Sequence, residues 1–397
     1  MGNKNTRAFG DVLDICVLNP FFYPYKGGTE KFILELYKRL AKKHNVTIIT
    51  SAPIDRNKHS VEELFGIKVV RLRTFQEHIS IFPMPFLFFD GLTKALIKEK
   101  SDIYHINNRY QFFEDTVYTV KRMNKKIALT IHNALPRNID PLTDQLGGFY
   151  DVLWGRRLMK AADLITGVST NTIRTTVPRS ELYKTHLVFN GVDYKKFRKI
   201  GRNNDNVMRV TKKLGFDDGI NIVSNGRLVI QKGQKYLLRA VSSLVKEGYD
   251  LNLMLIGKGP LKNSLHRMAK RVGMHDRFKI IYGLDDDSLP YYYNACDIFS
   301  LPSLYEPAGL ALLEALSCEL PSVISRVGGM PELAGDSALY SKPKDYHSIR
   351  DRLRYALDNK DICASIASSG RKRMIRYHDW DRIAKKYESL FLNTIKY

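Results

Sequence analysis

FSLPSLYEPAGLALLEALSCELPSVISRVGGMPEL, Phe299 to Leu333, is the stretch whose reading decides the fold. Its opening apolar run has strand character and ends in a loop, Ser303 to Ala308. From Gly309 to Ser317 it is helix-like; Pro321 to Ile324 restarts a strand, and Gly328-Gly329 stops it. Two glutamates, Glu306 and Glu314, stand at the ends of the turn and helix. Eight residues at about 1.5 Å rise separate them by about 12 Å, the reach from one end of a small sugar diphosphate to a ribose at the other. Between them lie the N–H groups of a helix N-terminus, around Ala308 to Ala311, whose partial positive charge suits phosphate. Taken in isolation, two glutamates on an amphipathic helix read as solvated surface.

The flanking residues change that reading. E-x7-E followed by P-S-V-I-S and then G-G-x-P-E resembles the donor-site signature of retaining, nucleotide-sugar-dependent glycosyltransferases of family 4, the glycosyl transferases group 1. The resemblance implies an α/β chain of GT-B fold, two Rossmann-like doubly wound domains facing across a cleft. It also implies that Glu306 contacts hydroxyls of the transferred sugar and that Glu314 bonds the ribose. Pro307, Ala308, Gly309 and Leu310 then belong to the donor pocket. Two departures stand out. Ala308 replaces a usually bulky residue, which alters the sugar pocket, and Glu319 replaces a frequent glycine, which removes the expected helix C-cap.

Composition sets the frame. The 397 residues are enough for two α/β domains and too many for one ordinary core. No apolar run reaches the roughly 18 residues of a membrane span; Ile79 to Phe89 is short and carries Pro83 and Pro85. The segment MGNKNTRAFGDV lacks an apolar signal core, so a cytoplasmic protein is expected. Gly2 and Thr6 formally match a myristoylation pattern, a short pattern of little weight. Cys16, Cys296, Cys318 and Cys363 stand far apart and read as reduced core residues. The net charge of +22 is spread evenly along the chain and attracts polyanions. No nucleic-acid-reading module accompanies it. An anionic membrane surface is the preferred partner for that charge, which would place the protein on the cytoplasmic membrane face.

Along the first domain, the strand DICVLNP runs into FFYPYKGGTEKF and a helix with Phe32, Ile33, Leu36 and Leu40 at helical spacing, the first unit of a doubly wound sheet. Gly27-Gly28 has two readings: by resemblance the pair lies near the donor phosphates, and locally it is a plain turn with Thr29 as N-cap. Strands follow at Val46–Thr50 and Ile67–Leu72. Phe82, Phe86, Phe88 and Phe89 precede an amphipathic helix with a basic face, and pack in the core, line an acceptor groove or enter a lipid interface. DIYHIN and IALTIHN are buried strands that bring His105 and His132 to carboxyl ends, where open α/β sheets bind ligands. The resemblance gives His132 the reacting face of the sugar; His105 reads as structural. ADLITGV and HLVF are further strands, and N-G-V-D at Asn190–Asp193 resembles the family's interdomain linker.

The second domain opens with a strand, Ile220–Asn225, followed by GRLVIQKGQKYLLRA. Neither phosphate-binding glycine motif of the P-loop or dinucleotide type occurs in this segment. Gly226-Arg227 and Lys232-Gly233 resemble the family's G-R-L…K-G, in which both cations hold the donor diphosphate and stabilise charge on the leaving phosphate. LNLMLIGKGP is a strand that brings Gly257 to the same edge, and Gly283-Leu284 fits the family's base-contacting loop. Asp285-Asp286-Asp287 reads as N-cap chemistry rather than a metal site. No metal or other cofactor is expected beyond the nucleotide sugar itself. The last helix, with Trp380, Ile383, Tyr387 and Leu390, resembles the family's C-terminal helix that packs back on the first domain. The expected domains are 1–190, 191–374 and 375–397.

The reaction implied is transfer of a hexose from a UDP- or GDP-sugar to a glycan or lipid-linked acceptor hydroxyl, as in cell-envelope glycan assembly. Two glutamates bracketing a helix do not fit the roughly 5–10 Å pairing of a glycoside hydrolase. A nucleotide-sugar epimerase of the same fold and a catalytically silent subunit remain alternatives.

Overall fold

The computed structural model describes residues 12–25, 27–53, 56–77, 86–112, 114–133, 154–216 and 219–396. The Gly2–Thr6 pattern, Phe82, Pro83 and Pro85 lie outside these residues, as does the side chain of Phe86. The chain forms two units, Met1–Asn190 with Trp380–Tyr397, and Gly191–Asp379. The change of unit falls at Asp379 rather than 374 because the helix Lys360–Tyr377 runs unbroken past that position.

The first unit contains β1 (Asp14–Leu18), β2 (Asn45–Ser51), β3 (Ser60–Leu64), β4 (Ile67–Leu72), β5 (Thr74–Glu77), β6 (Phe86–Phe89), β7 (Ile103–Ile106), β8 (Lys126–Ile131), β9 (Leu164–Gly167) and β10 (Thr185–Leu187). Eight of these form one sheet in the order β10-β9-β8-β7-β1-β2-β4-β3. Its pairings are parallel except β3 with β4 at the edge. The sequence of β7, Ile-Tyr-His-Ile, is buried at every position, as a strand covered by helices on both faces requires. From β1 the chain builds outward to β2 and β4, then returns to place β7 on the other side of β1. The order of construction therefore reverses between β1 and β7.

One face of this sheet is covered by the helices Gly28–Leu40 and Trp380–Lys396, which contribute Phe32, Ile33, Leu36, Tyr37, Trp380, Ile383, Tyr387 and Phe391 to a single core. The expected fourth member of the last stripe, Leu390, is only partly buried; Phe391 takes its place. Eleven residues from Trp380 at about 100° per residue returns close to the starting direction, whereas ten falls well to the side. Tyr37, His105, Thr130, Thr166 and Tyr387 form a buried polar network inside this core. The Tyr37 hydroxyl meets His105 Nδ1, His105 Nε2 lies 2.6 Å from Thr130 Oγ1, and Tyr387 Oη lies 3.1 and 3.0 Å from Thr130 and Thr166. His105 thus sits within β7 with both ring nitrogens engaged, not at a strand end facing a ligand.

The aromatic stretch divides. Phe89 stacks on Phe112 with ring centroids 5.4 Å apart, beside the core of the opposite face. Phe88 is 55% exposed, on the antiparallel β5–β6 pair.

The second unit is a six-stranded parallel sheet of β11 (Ile220–Asn225), β12 (Leu251–Ile256), β13 (Phe278–Ile281), β14 (Ile298–Leu301), β15 (Ser322–Ser325) and β16 (Leu339–Ser341). Its order is β13-β12-β11-β14-β15-β16, so construction reverses between β11 and β14. Leu237, Leu238, Val241 and Leu244 of helix Gln234–Lys246 pack on it with Ile349 and Leu353. Glu319 adopts φ +58, the left-handed conformation that the helix Leu310–Ser317 needs to stop and that glycine reaches without strain. All four cysteines are free and buried.

Candidate active site

In an open parallel sheet the loops on either side of a reversal in strand order leave for opposite faces, and the crevice between them receives ligands. In the second unit those loops follow β11 and β14, and they carry most of the residues singled out by sequence.

Gly233 lets the two loops touch. Its φ is +65, and a Cβ there would fall 2.1 Å from the carbonyl oxygen of Pro302. Gly328 does the same on the far side, at φ +55, where a Cβ would lie 2.2 Å from the carbonyl oxygen of Glu306. The Gly329 N–H donates to that oxygen at 3.1 Å. Glu306 is thereby clamped through its backbone, and the residue as a whole is 7% exposed. The carboxylate accepts from the Lys232 ammonium, from Ser303 Oγ at 3.1 Å and from the Gly309 N–H at 3.3 Å. The stem of Lys232 crosses Gly226, where a Cβ would sit 3.4 Å from Lys232 Cε; a Cβ on Gly257 would in turn meet the Gly226 carbonyl oxygen at 2.1 Å. Arg227 is exposed immediately after Gly226, its carbonyl held by Gln234 Nε2 at 2.9 Å. Gly226, Lys232, Gly257, Glu306 and Gly309 are therefore brought into one cluster, with Arg227 beside it.

The helix Leu310–Ser317 starts at this cluster with Gly309 as its N-cap at φ +50. Its first amides, those of Leu310 and Ala311, have no partner one turn back within the helix. Gly309, expected among the open amides, is instead engaged by Glu306. Pro307, Ala308 and Leu310 are half-buried at the same end. Glu314, 5% exposed, accepts from the Tyr293 hydroxyl at 2.9 Å. Gly283 and Leu284 follow β13, at the same edge but two strands from β11. Gly283 is exposed, with nothing within 4 Å of a Cβ.

In the first unit, Gly27 and Gly28 are exposed at the start of helix Gly28–Leu40. Gly27 is the N-cap and Thr29 lies inside the helix, which overturns Thr29 as cap. A Cβ on Gly27 would lie 2.1 Å from Glu30 Oε2, so a carboxylate already covers the helix start. An anion there requires that side chain to swing away. His132 follows β8 and is 8% exposed. Its Nε2 lies 3.1 Å from Asn107 Oδ1, and its ring meets Phe32 edge-on at 4.7 Å. Burial lowers its pKa to about 3, so at neutral pH it is an uncharged imidazole with Nε2 protonated against the amide oxygen.

Among the described residues no group of His, Cys, Asp and Glu is arranged to hold a metal ion. In the aspartate run, Asp285 Oδ1 accepts from the Ser288 N–H at 2.5 Å and Asp287 pairs with Lys196 at 2.8 Å. Ser288 is the N-cap of helix Leu289–Asn294 without a capping side-chain bond, so the turn is closed by Asp285 instead. Among the described residues no helix is long and apolar enough to cross a membrane. Ser303, Asn225 and Tyr293 were not legible as site residues; the signal available was Ser303 three places before Glu306 and a tyrosine run just before the decisive stretch.

Residues 209–373 match the family model for glycosyl transferases group 1, and residues 26–196 match that for glycosyltransferase family 4. An uncharacterized glycosyltransferase of Methanocaldococcus jannaschii is 27% identical over 52% of this chain and 54% of its own, so the matched part spans about half of each. The N-acetyl-alpha-D-glucosaminyl L-malate synthase of Bacillus anthracis is 25% identical over 94% of this chain and 96% of its own. Among solved structures, Anabaena HepE in complex with UDP-glucose superposes with a TM-score of 0.74 at 17% identity, covering 94% of this chain and 98% of that one.

Proposed function

Because the chain belongs to the group 1 glycosyltransferases of GT-B fold, we propose that it moves a hexose from a UDP- or GDP-sugar to a glycan or lipid-linked acceptor hydroxyl, with retention at the anomeric carbon and without a metal ion. The bond between the anomeric carbon and the donor phosphate breaks, and a bond from that carbon to the acceptor oxygen forms. The acceptor proton passes to the departing phosphate, and nucleoside diphosphate leaves.

The observation that carries this reading is the Lys232–Glu306 pair at the reversal between β11 and β14. A sugar diphosphate presents phosphate oxygens for the ammonium and hydroxyl donors for the carboxylate. Each charge can pass to the ligand without either being left bare. Arg227 and the open amides of Leu310 and Ala311 add positive potential where the leaving phosphate gains charge. Glu306 is assigned to the sugar hydroxyls and Glu314 to the ribose. Gly226, Gly257, Pro307, Ala308, Gly309 and Leu310 shape the donor pocket, and Gly283 and Leu284 take the base. Gly27 and Gly28 are assigned to the phosphates once Glu30 moves. His132, neutral, is assigned to the reacting face of the sugar. The second unit is the donor domain and the first the acceptor domain. The net charge of +22 favours a peripheral site on the anionic cytoplasmic membrane face.

The test is nucleotide release from a panel of UDP-, GDP- and ADP-sugars, with and without candidate acceptors, alongside thermal shift with the same donors. Acceptor-dependent release supports transfer. Release without any acceptor would point to an epimerase, and donor binding without release to a silent subunit.

A further inference from the structure

Behind Glu314 lies a chain of buried polar groups that the proposed reaction has not used. Asn225, the last residue of β11, donates from Nδ2 to Tyr293 Oη at 2.9 Å. Tyr293, on helix Leu289–Asn294, is fully buried, and its hydroxyl donates to Glu314 Oε2 at 2.9 Å. The carbonyl oxygen of Ala311 is farther away, at 3.4 Å. An amide nitrogen can only donate, and a phenol has one proton to give. The bond from Asn225 therefore occupies the phenol oxygen as an acceptor and turns its proton toward Glu314. Burial and the neighbouring Glu314 push the phenol pKa well above its ordinary value, so the proton stays on Tyr293 at neutral pH.

This polarity constrains what Glu314 can bind. With a donor turned onto one oxygen, a carboxylate takes further hydrogen-bond donors and repels phosphate oxygens. Tyr293 also packs edge-on against Phe197 with centroids 6.0 Å apart and leans on Phe299 at 6.0 Å, so the ring cannot turn the hydroxyl elsewhere without displacing the core. A vicinal diol is the ligand group that offers two adjacent donors to such a carboxylate.

We propose that Tyr293, polarised by Asn225, is a positioning residue that fixes the Glu314 carboxylate for a ribose diol and so makes the site selective for ribonucleotide over deoxyribonucleotide donors. The inference rests on the donor assignment above and adds to it the source of sugar-ring discrimination in the nucleoside. Tyr293 does not touch the reacting atoms; it acts through Glu314.

The experiment is steady-state kinetics with the best nucleotide sugar from the donor panel and its 2′-deoxy and 3′-deoxy counterparts, for the full chain and for Y293F and N225D. Y293F keeps the ring and its packing but removes the proton. It is expected to raise KM for the ribonucleotide donor about tenfold or more, as loss of a hydrogen bond to a charged group implies. Its kcat should stay close to that of the unmodified chain, and its preference for ribo- over deoxyribonucleotide donors should collapse toward unity. N225D replaces the donor with an acceptor that competes for the same phenol proton, so it should move the preference in the same direction. If the unmodified chain binds and turns over no nucleotide sugar, the donor assignment itself fails. If it transfers sugar and Y293F and N225D both retain its ribo/deoxy preference, the donor assignment stands and the role of Tyr293 is overturned, whatever the variants do to thermal stability.

Discussion

The sharpest consequence of the site is an asymmetry between the two ways of breaking the Lys232–Glu306 pair. The side chains are 21% and 9% exposed, so the pair is mostly but not wholly desolvated. Removing one partner of a fully buried pair costs about 3–5 kcal/mol, because the other charge is left uncompensated. In Lys232→Ala, Glu306 keeps Ser303 Oγ and the Gly309 N–H. Those two bonds and the residual solvent access lower the expected cost to about 2 kcal/mol. For a unit of this size that is a fall of about 4–8 °C in its melting transition. In Glu306→Gln the charge left behind is a lysine on a flexible stem, which can extend toward water, so the cost should be only about 1 kcal/mol. The double variant should be less damaged than the sum of the two by about 1 kcal/mol, since the pair is broken once. Calorimetry or denaturant unfolding of all four proteins measures this cycle. Turnover supplies an independent reading: loss of the cation proposed to face the leaving phosphate should lower kcat by about 100- to 1000-fold in Lys232→Ala. Additivity within about 0.5 kcal/mol would show that the two charges do not interact. Near-normal turnover in both single variants would refute the donor-site assignment.

Three further outcomes are expected. His105 and His132 both have pKa values lowered to about 3, with burial the first cause in each, while the unfolded chain titrates near 6.5. Between those values the unfolded state binds more protons, so stability is fully present above pH 6.5 and is lost as pH falls toward 3. The loss is up to about 1.4 kcal/mol per pH unit for each histidine, and the acid limb measured by denaturant unfolding should be shallower by one proton in His105→Gln. Gly328→Ala places a methyl 2.2 Å from the Glu306 carbonyl oxygen at φ +55 and should cost about 2 kcal/mol or more together with donor binding; Gly283→Ala, at φ +74 with open space, should cost about 1 kcal/mol and leave the Glu306 loop in place. Thermal melts with and without nucleotide sugar separate the two. Finally, transfer should be unchanged by exhaustive chelation, measured as nucleotide release in excess EDTA; loss of activity restored by a divalent ion would contradict the cation roles given to Arg227 and Lys232.

Much of the fold was legible because its parallel strands announce themselves. DICVL, IYHI and LNLMLI are largely apolar runs, richer in apolar residues than a half-exposed strand, and each is followed by glycine or asparagine that breaks it. The edge strand Ser60–Leu64 escaped notice because it is largely exposed and carries no such run. His105 was misplaced because sequence gives a strand's extent but not the residue at which it ends. Phe88 and Phe89 are chemically alike and adjacent, and alternation on a strand sends one to solvent and the other to Phe112.

By itself the sequence determined the family, the doubly wound sheets and the chemical inventory of the proposed donor site: two carboxylates, two cations and the start of a helix. Those follow from local spacing, which the chain carries whatever its neighbours do. Only the tertiary structure decided that Lys232 bonds Glu306 and which tyrosine of Tyr291-Tyr292-Tyr293 reaches Glu314. Each of these joins residues from different loops or helix faces. Such meetings are set by the angle at which elements pack and by the absence of a Cβ at Gly233 and Gly328, and neither is a property of any single stretch of chain.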